Sequence, residues 1–145
     1  MKLVSVENRK TTFRRLAAAN QRRDALVFAT SFPTLAVRLL LEKLPAHLPC
    51  WHFGDTDAAG YLILLKLRQI AGRKVQRLEM DWQDKAGSPA LTLYDHCVLA
   101  NLRLAPEMAD CRADLEAMFA AGRKGNFEQE ARGLPQLADL ILPRD

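Results

Sequence analysis

The chain reads as an α/β protein with a mainly parallel sheet of about four strands, flanking helices and a helical C-terminal third. Three observations predict it. Short runs rich in Val, Leu and Phe alternate with longer amphipathic stretches from Lys2 to Met80. The runs are apolar at consecutive positions, the pattern of strands covered on both faces. After Met80 the alternation stops and helical spacing takes over.

Taken in order, "KLVSVE" (2–7) is the first strand, and "NRKTTFRRLAAANQ" (8–21) the first helix, with Asn8 as its N-cap. "ALVFAT" (25–30) is a continuous apolar run of strand length. "PTLAVRLLLEKL" (33–44) opens with Pro33 at a first helical position and stops before Pro45. "PCWHF" (49–53) is the third strand, "AGYLILLKLRQIA" (59–71) the third helix and "VQRLEM" (75–80) the fourth strand. Strands separated by helices imply crossover units and a parallel sheet. "DWQDKAGSPALTLYDH" (81–96) reads as loop, with Gly87 and Pro89. "PEMADCRADLEAMFAAG" (106–122) reads as a helix, with Pro at its start, Gly at its end and Met108, Cys111, Leu115, Met118 and Phe119 on its core face. "NFEQEAR" (126–132) and "PQLADLIL" (135–142) add two shorter helical pieces. The whole is one domain, 1–145: a βα core over 1–82, then a loop and C-terminal helices over 83–145.

A chain of 145 residues can bury a real core, and 49% hydrophobic with 26% charged residues is an ordinary globular balance. The longest apolar runs are broken by Arg38, Glu42 and Lys66, so no membrane partner is expected. "MKLVSVENRK" lacks the apolar segment of a secretory signal, which points to the cytoplasm. Cys50, Cys97 and Cys111 are odd in number and share no CxxC spacing, so buried thiols are expected, not a disulfide framework or zinc site. The net charge of +4 hides an asymmetry. Residues 1–78 hold 14 Lys/Arg against 5 Asp/Glu, and residues 79–145 hold 7 against 12. A basic half of that kind fits a polyanion partner or a solvated basic surface.

In an open parallel sheet, functional groups collect beyond the carboxyl ends of the strands. Glu7 closes the first strand, and Asp55 and Asp57 follow the third. If those strands are neighbours, three carboxylates share one crevice, an arrangement that needs a cation to neutralise it. Hard oxygen ligands suit Mg²⁺ or Mn²⁺ better than zinc. Gly54 lets a ligand approach closely, and Gly60 lets the following helix pack tightly on its strand. Turn chemistry offers another account: Asp57 as an N-cap, Asp55 as a turn residue and Glu7 as a solvated strand end.

Together, "VSVEN", a strand ending in "ATSFPT" and "HFGDTDAAGYLILLKLR" resemble the Toprim domain, which carries a glutamate after its first strand and a DxD after its third. The closer resemblance is to the Toprim nuclease subunit of the bacterial Wadjet anti-plasmid defence system, related to the A subunit of topoisomerase VI. There the glutamate is followed by asparagine, as in Glu7-Asn8, and the aspartate motif leads into a helix with a basic residue, here Arg68. "FEQEA" (127–131) is similar to a glutamate-rich segment toward that family's C-terminus.

The resemblance implies a Toprim (Rossmann-like) fold and metal-dependent cleavage of DNA. Glu7, Asp55 and Asp57 would hold one or two Mg²⁺ or Mn²⁺ ions, with Glu7 also acting in proton transfer. The implied partners are DNA, SMC-like subunits of a defence complex and a second copy in a homodimer. Members of that group carry further N-terminal domains, so a chain starting at strand one is expected to be an excised domain or a truncated relative. Topoisomerase VI-type enzymes attack DNA with a tyrosine on a separate domain. Only Tyr61 and Tyr94 exist here, so hydrolysis by water is expected.

Arg9, Lys10 and Arg14 follow Glu7 and are candidate phosphate contacts, or an ordinary basic helix face. Arg22 and Arg23 fall at the helix's far end and are not candidates. Thr30 and Ser31 end the second strand and could donate to a phosphate or form a turn; Glu79, Asp81, Glu128 and Glu130 are further acids that could join the site. His52 reads as a core histidine. Two function classes stand: a metal-dependent nuclease, and a non-catalytic module binding DNA or a partner. A phospho-aspartate enzyme is a distant third.

Overall fold

The computed structural model describes residues 1–8, 10–129 and 133–140. Its strands form on the apolar runs: β1 (Lys2–Val6), β2 (Ala25–Ala29), β3 (Cys50–Phe53) and β4 (Val75–Arg77). They pair in the order β2-β1-β3-β4, all parallel. The connections carry α1 (Thr12–Ala19), α2 (Leu35–Lys43) and α3 (Ala58–Ile70). Beyond β4 come α4 (Leu93–Leu102) and α5 (Arg112–Ala121). The fold is α/β with a parallel sheet and a helical C-terminal third. No helix among the described residues is long and apolar enough to cross a membrane.

Successive strand residues face opposite layers. Leu3, Phe28, Cys50 and Val75 pack with Leu41 of α2, Leu64 of α3, Leu99 of α4 and Leu115 of α5. Val4, Val6, Trp51 and Phe53 pack on the other face with Leu16 of α1 and Leu137. α3 is buried along most of its circumference, between the sheet and α4, as its nearly unbroken apolar sequence requires. The chain leaves β1 toward β2 on one side, while β3 lies on the other. Such a reversal in strand order is where a parallel α/β sheet usually offers its ligand site, here at the carboxyl ends of β1 and β3.

Several elements differ from expectation. α1 starts four residues late because Asn8 turns the backbone first, its Oδ1 accepting from the N–H groups of Lys10 (3.0 Å) and Thr11 (2.9 Å). Thr34, not Pro33, borders α2, as an N-cap. β4 ends at Arg77, and Glu79 then adopts a left-handed backbone (φ +50°). α4 replaces part of the expected loop. Its start is a capping box in which Thr92 accepts the Asp95 N–H and the Asp95 carboxylate accepts the Thr92 N–H. The expected 106–122 helix is two pieces, a 3-10 helix (Pro106–Cys111) and α5, with a kink at Met108. Arg68 holds that kink, donating to the Glu107 carbonyl and pairing with both Asp110 oxygens. Residues 126–128 are not helical, and Leu137–Asp139 make a single 3-10 turn; 130–132 and 141–145 lie outside the described residues.

Met108 and Met118 are core, but Phe119 is partly exposed, edge-on to His96 and under the Arg103 guanidinium. Cys50 and Cys111 are buried, and burial pushes both thiols up to about 12. Cys97 is exposed, contrary to expectation, because α4 turns that position outward.

Candidate functional site

β1 and β3 are hydrogen-bonded neighbours with Val6 opposite Phe53, so the residues after each strand leave the sheet side by side. The Glu7 N–H donates to the Phe53 carbonyl (3.2 Å), carrying the ladder one step further. The Glu7 carboxylate then reaches across, and its Oε2 accepts the Asp55 N–H at 2.9 Å. Glu7, Asp55 and Asp57 are all half-buried.

The two aspartates do different things. Asp57 is the N-cap of α3, its Oδ1 accepting the Gly60 N–H at 2.8 Å. Asp55 Oδ1 instead accepts the N–H of Gln129, at 2.7 Å, from 74 positions away in sequence. Gln129 is buried, and its side chain donates to the Phe53 carbonyl while accepting the Asn8 N–H (3.2 Å). Thr56 adds a further stitch, its N–H donating to the Phe127 carbonyl at 2.9 Å. Segment 126–129 thus lies over the carboxyl ends of β1 and β3. Gln129 is the residue that sequence reasoning missed: the resemblance pointed to the glutamates on either side of it.

Both glycines work by close approach. A Cβ on Gly60 would lie 2.0 Å from the Asp55 carbonyl oxygen. A Cβ on Gly54 would lie 2.7 Å from His52 Nε2 and 3.0 Å from Glu7 Oε2. His52 and Glu7 therefore pack against Gly54 where any side chain would clash with them. His52 is fully buried, with Nδ1 2.7 Å from Ser5 Oγ, and its Nε2 has no hydrogen-bond partner among the described residues. Burial, with a contribution from the Arg68 charge, pushes its pKa down to about 3, so the imidazole is neutral.

Among the described residues, no group of three or more His, Cys, Asp or Glu is placed to hold a metal ion. What the site offers is a donor set. The Glu7 carboxylate meets the Asp55 backbone, Asp57 lies two residues on, and His52 and the Glu7 carboxylate pack where a side chain at Gly54 would stand. These hard carboxylate oxygens fit Mg²⁺ or Mn²⁺ by chemistry.

Of the basic candidates, Lys10 and Arg14 are exposed, with no ion pair to any described residue, and Arg9 lies outside the described residues. Arg68, in contrast, is committed to structure through Val75, Glu107 and Asp110. Asp81 is exposed and pairs with Arg77 at 3.2 Å; Glu79 and Glu128 are exposed, and Glu130 lies outside the described residues. Thr30 is buried at the end of β2 and donates to the Ser31 carbonyl (3.3 Å). Tyr61 is fully buried and donates to the Met80 carbonyl at 2.8 Å, with burial raising its pKa; Tyr94 is exposed on α4. No model of a known protein family matches the chain, and no curated protein matches it.

Proposed function

We propose that the chain is a Toprim-type, divalent-metal-dependent DNA endonuclease of a bacterial anti-plasmid defence system, acting in the cytoplasm with SMC-like subunits. One observation carries the reading: the contact between Glu7 Oε2 and the Asp55 N–H, at the point where the strand order reverses. A carboxylate from one strand end reaches the backbone of the aspartate segment after another, where an α/β sheet usually offers its ligand site. A phosphodiester would be repelled by bare carboxylates, so the acids make sense as ligands of a cation.

Glu7, Asp55 and Asp57 would hold the ion. When bound, it supplies a water of lowered pKa and stabilises the leaving oxygen of an in-line displacement at phosphorus. The Glu7 carboxylate takes the proton of the attacking water. Asp55 is kept in orientation by the Gln129 N–H, and Asp57 by its cap on α3. Arg9, Lys10 and Arg14 neutralise the phosphates flanking the cut and add little sequence selectivity. Tyr61 is withheld from covalent attack by burial and its bond to Met80, which favours hydrolysis by water.

The test is cleavage of supercoiled DNA with Mg²⁺ or Mn²⁺ by the parent, Glu7→Ala and Asp55→Ala. Each substitution is expected to lower the rate by about a hundredfold or more, with the circular dichroism spectrum retained. Full activity in either variant overturns the reading. A second reading, a non-catalytic DNA- or partner-binding module, is favoured by the backbone N–H groups that already occupy both aspartates. Thermal melts with Mg²⁺ or Mn²⁺ tell a metal site from no site, because an ion that binds only the native state stabilises it by about 2.7 kcal/mol at a hundred times its Kd, and cleavage then decides between the two readings. A metal-stabilised chain that never cuts DNA fits the module.

A further inference from the structure

β4 is an edge strand of the sheet. The Leu78 N–H donates to the His52 carbonyl, so even-numbered positions pair with β3. By the two-residue period, Val75 and Arg77 turn their backbone groups outward. Arg68 Nε closes the Val75 carbonyl at 2.9 Å, while the Val75 and Arg77 N–H groups bond to no described residue. The edge thus offers two donors with the carbonyl between them already taken, which suits a ligand's oxygen atoms better than a further strand. It forms one wall of a cavity of about 650 Å³, and the 3-10 helix Pro106–Cys111 forms another. That volume is of small-molecule size, since ligand sites commonly enclose about 300–1,000 Å³.

The charges lining this cavity are unevenly matched. Both Asp110 oxygens are taken by Arg68, at 2.7 and 2.9 Å. Arg77 is matched by Asp81 and Asp114. Arg73 and Lys74 pair with no carboxylate of a described residue. Arg73 instead donates to the Leu41, Leu44 and Pro45 carbonyls, at 2.6, 2.8 and 2.7 Å, which fixes its guanidinium at the C-terminal end of α2. Lys74 is exposed. Glu107, the other carboxylate of the lining, is exposed on the 3-10 helix and directs an anion toward Arg73 and Lys74. Pro106 and Ala109 add exposed apolar surface on that same wall.

We infer that this cavity binds a small organic phosphate. A phosphate group carries about −1.5 to −2 charge at pH 7 and three acceptor oxygens, which meet the unmatched cations Arg73 and Lys74 in charge-assisted hydrogen bonds. Three carbonyls already hold Arg73, so little order is lost there on binding. The body of the ligand lies along the wall: its oxygens accept from the outward N–H groups of β4, and its apolar part covers Pro106 and Ala109. Arg73 and Lys74 precede β4, whereas Glu7 and Asp55 follow their strands, so the anion is bound at the opposite rim of the parallel sheet. The inference is therefore independent of the nuclease reading.

The experiment is isothermal titration calorimetry of the whole chain with adenosine monophosphate, in EDTA so that no divalent ion contributes, and with inorganic phosphate alongside. Adenosine monophosphate is expected to saturate one site with a Kd below about 1 mM, and inorganic phosphate to bind about tenfold more weakly or worse. Lys74→Glu reverses a charge of the anion end, and Ala109→Trp sets a bulky ring on the apolar wall; each should weaken binding by about tenfold or more. Lys85→Glu, at an exposed lysine outside the cavity, should leave it unchanged. A parent without saturable binding, equal affinity for inorganic phosphate, variants that bind as tightly as the parent, or an equal loss in Lys85→Glu overturns the inference. Amide chemical shifts of the unmodified chain give a second readout. Adenosine monophosphate should move the Lys74, Val75 and Arg77 signals, and signals that stay in place up to saturation overturn the inference even if a variant fails to fold.

Discussion

Replacing Gly60 with alanine should destabilise the protein, although the position is helical and helix propensity favours alanine. In an unobstructed helix interior the change would gain about 1 kcal/mol. Here the new Cβ would sit 2.0 Å from the Asp55 carbonyl oxygen and 2.7 Å from its carbon. Relief requires the Asp55 backbone and α3 to separate by about 1 Å or more. Neither side yields easily. Asp55 is tied to Glu7 through its N–H and to Gln129 through its carboxylate, and α3 is packed in the core. Overpacking of this kind costs about 1–3 kcal/mol. Moving the turn also weakens the Asp57 cap, a bond worth about 1 kcal/mol. With the propensity gain subtracted, the net loss is about 1–3 kcal/mol, a fall in Tm of roughly 3–10 °C for a chain of this size. Urea denaturation and thermal melting of the parent, Gly60→Ala, Asp57→Ala and the double variant measure it. The double variant should lose less than the sum of the single losses, since both changes loosen the same turn. A Gly60→Ala protein as stable as the parent, or more so, refutes the reasoning.

Two more outcomes follow from buried polar groups. Asp95→Ala removes both the acceptor for the Thr92 N–H and the anion at the start of α4, and should cost about 1–2 kcal/mol in urea denaturation; no change would mean that α4 is held by packing alone. His52 is held neutral, with a pKa near 3 against an ordinary value of 6.5, so the unfolded chain takes up the proton first as pH falls. Its contribution to stability is complete above about pH 6.5 and is lost toward pH 3, with a slope of up to about 1.4 kcal/mol per pH unit. Asp110 and Asp84, whose pKa values are lowered from 3.8, lose their contributions at more acidic pH, so the two effects separate. His52→Gln should flatten the decline between about pH 6.5 and 4.5, and an unchanged slope would assign it to other groups.

The fold class was legible because strand burial and helix periodicity are local signals. Runs such as ALVFA and AGYLILLKL place strand and helix without knowledge of the partners they pack against. Strand order is not local, and it is strand order that decides whether Glu7 meets Asp55. The missed helix, α4, was announced by Thr92 and Asp95, a capping box in front of an apolar run, but the Gly87 and Pro89 nearby favoured a loop reading. The kink at Met108 was not legible, since it depends on Arg68 gripping Glu107 and Asp110 from another helix. Gln129 was hidden for the same reason. A glutamine between two glutamates carries no local sign that it will bridge three backbone segments.

That bridge answers why the chain places two aspartates after β3. Helix capping requires one, and Asp57 fills that role alone. The Asp55 carboxylate instead accepts the Gln129 N–H, and the Gln129 side chain also ties the end of β3 to Asn8 beside Glu7. One residue from the C-terminal third therefore fixes the relative placement of both strand ends that carry the acids. The βα core over 1–82 contains every acid assigned to the site and still lacks the contact that orients Asp55. The helical C-terminal third is thus part of the site's construction: α4 packs on α3 and α5 on α4, and the chain beyond α5 returns across the sheet's carboxyl edge to set the geometry on which the proposed chemistry depends.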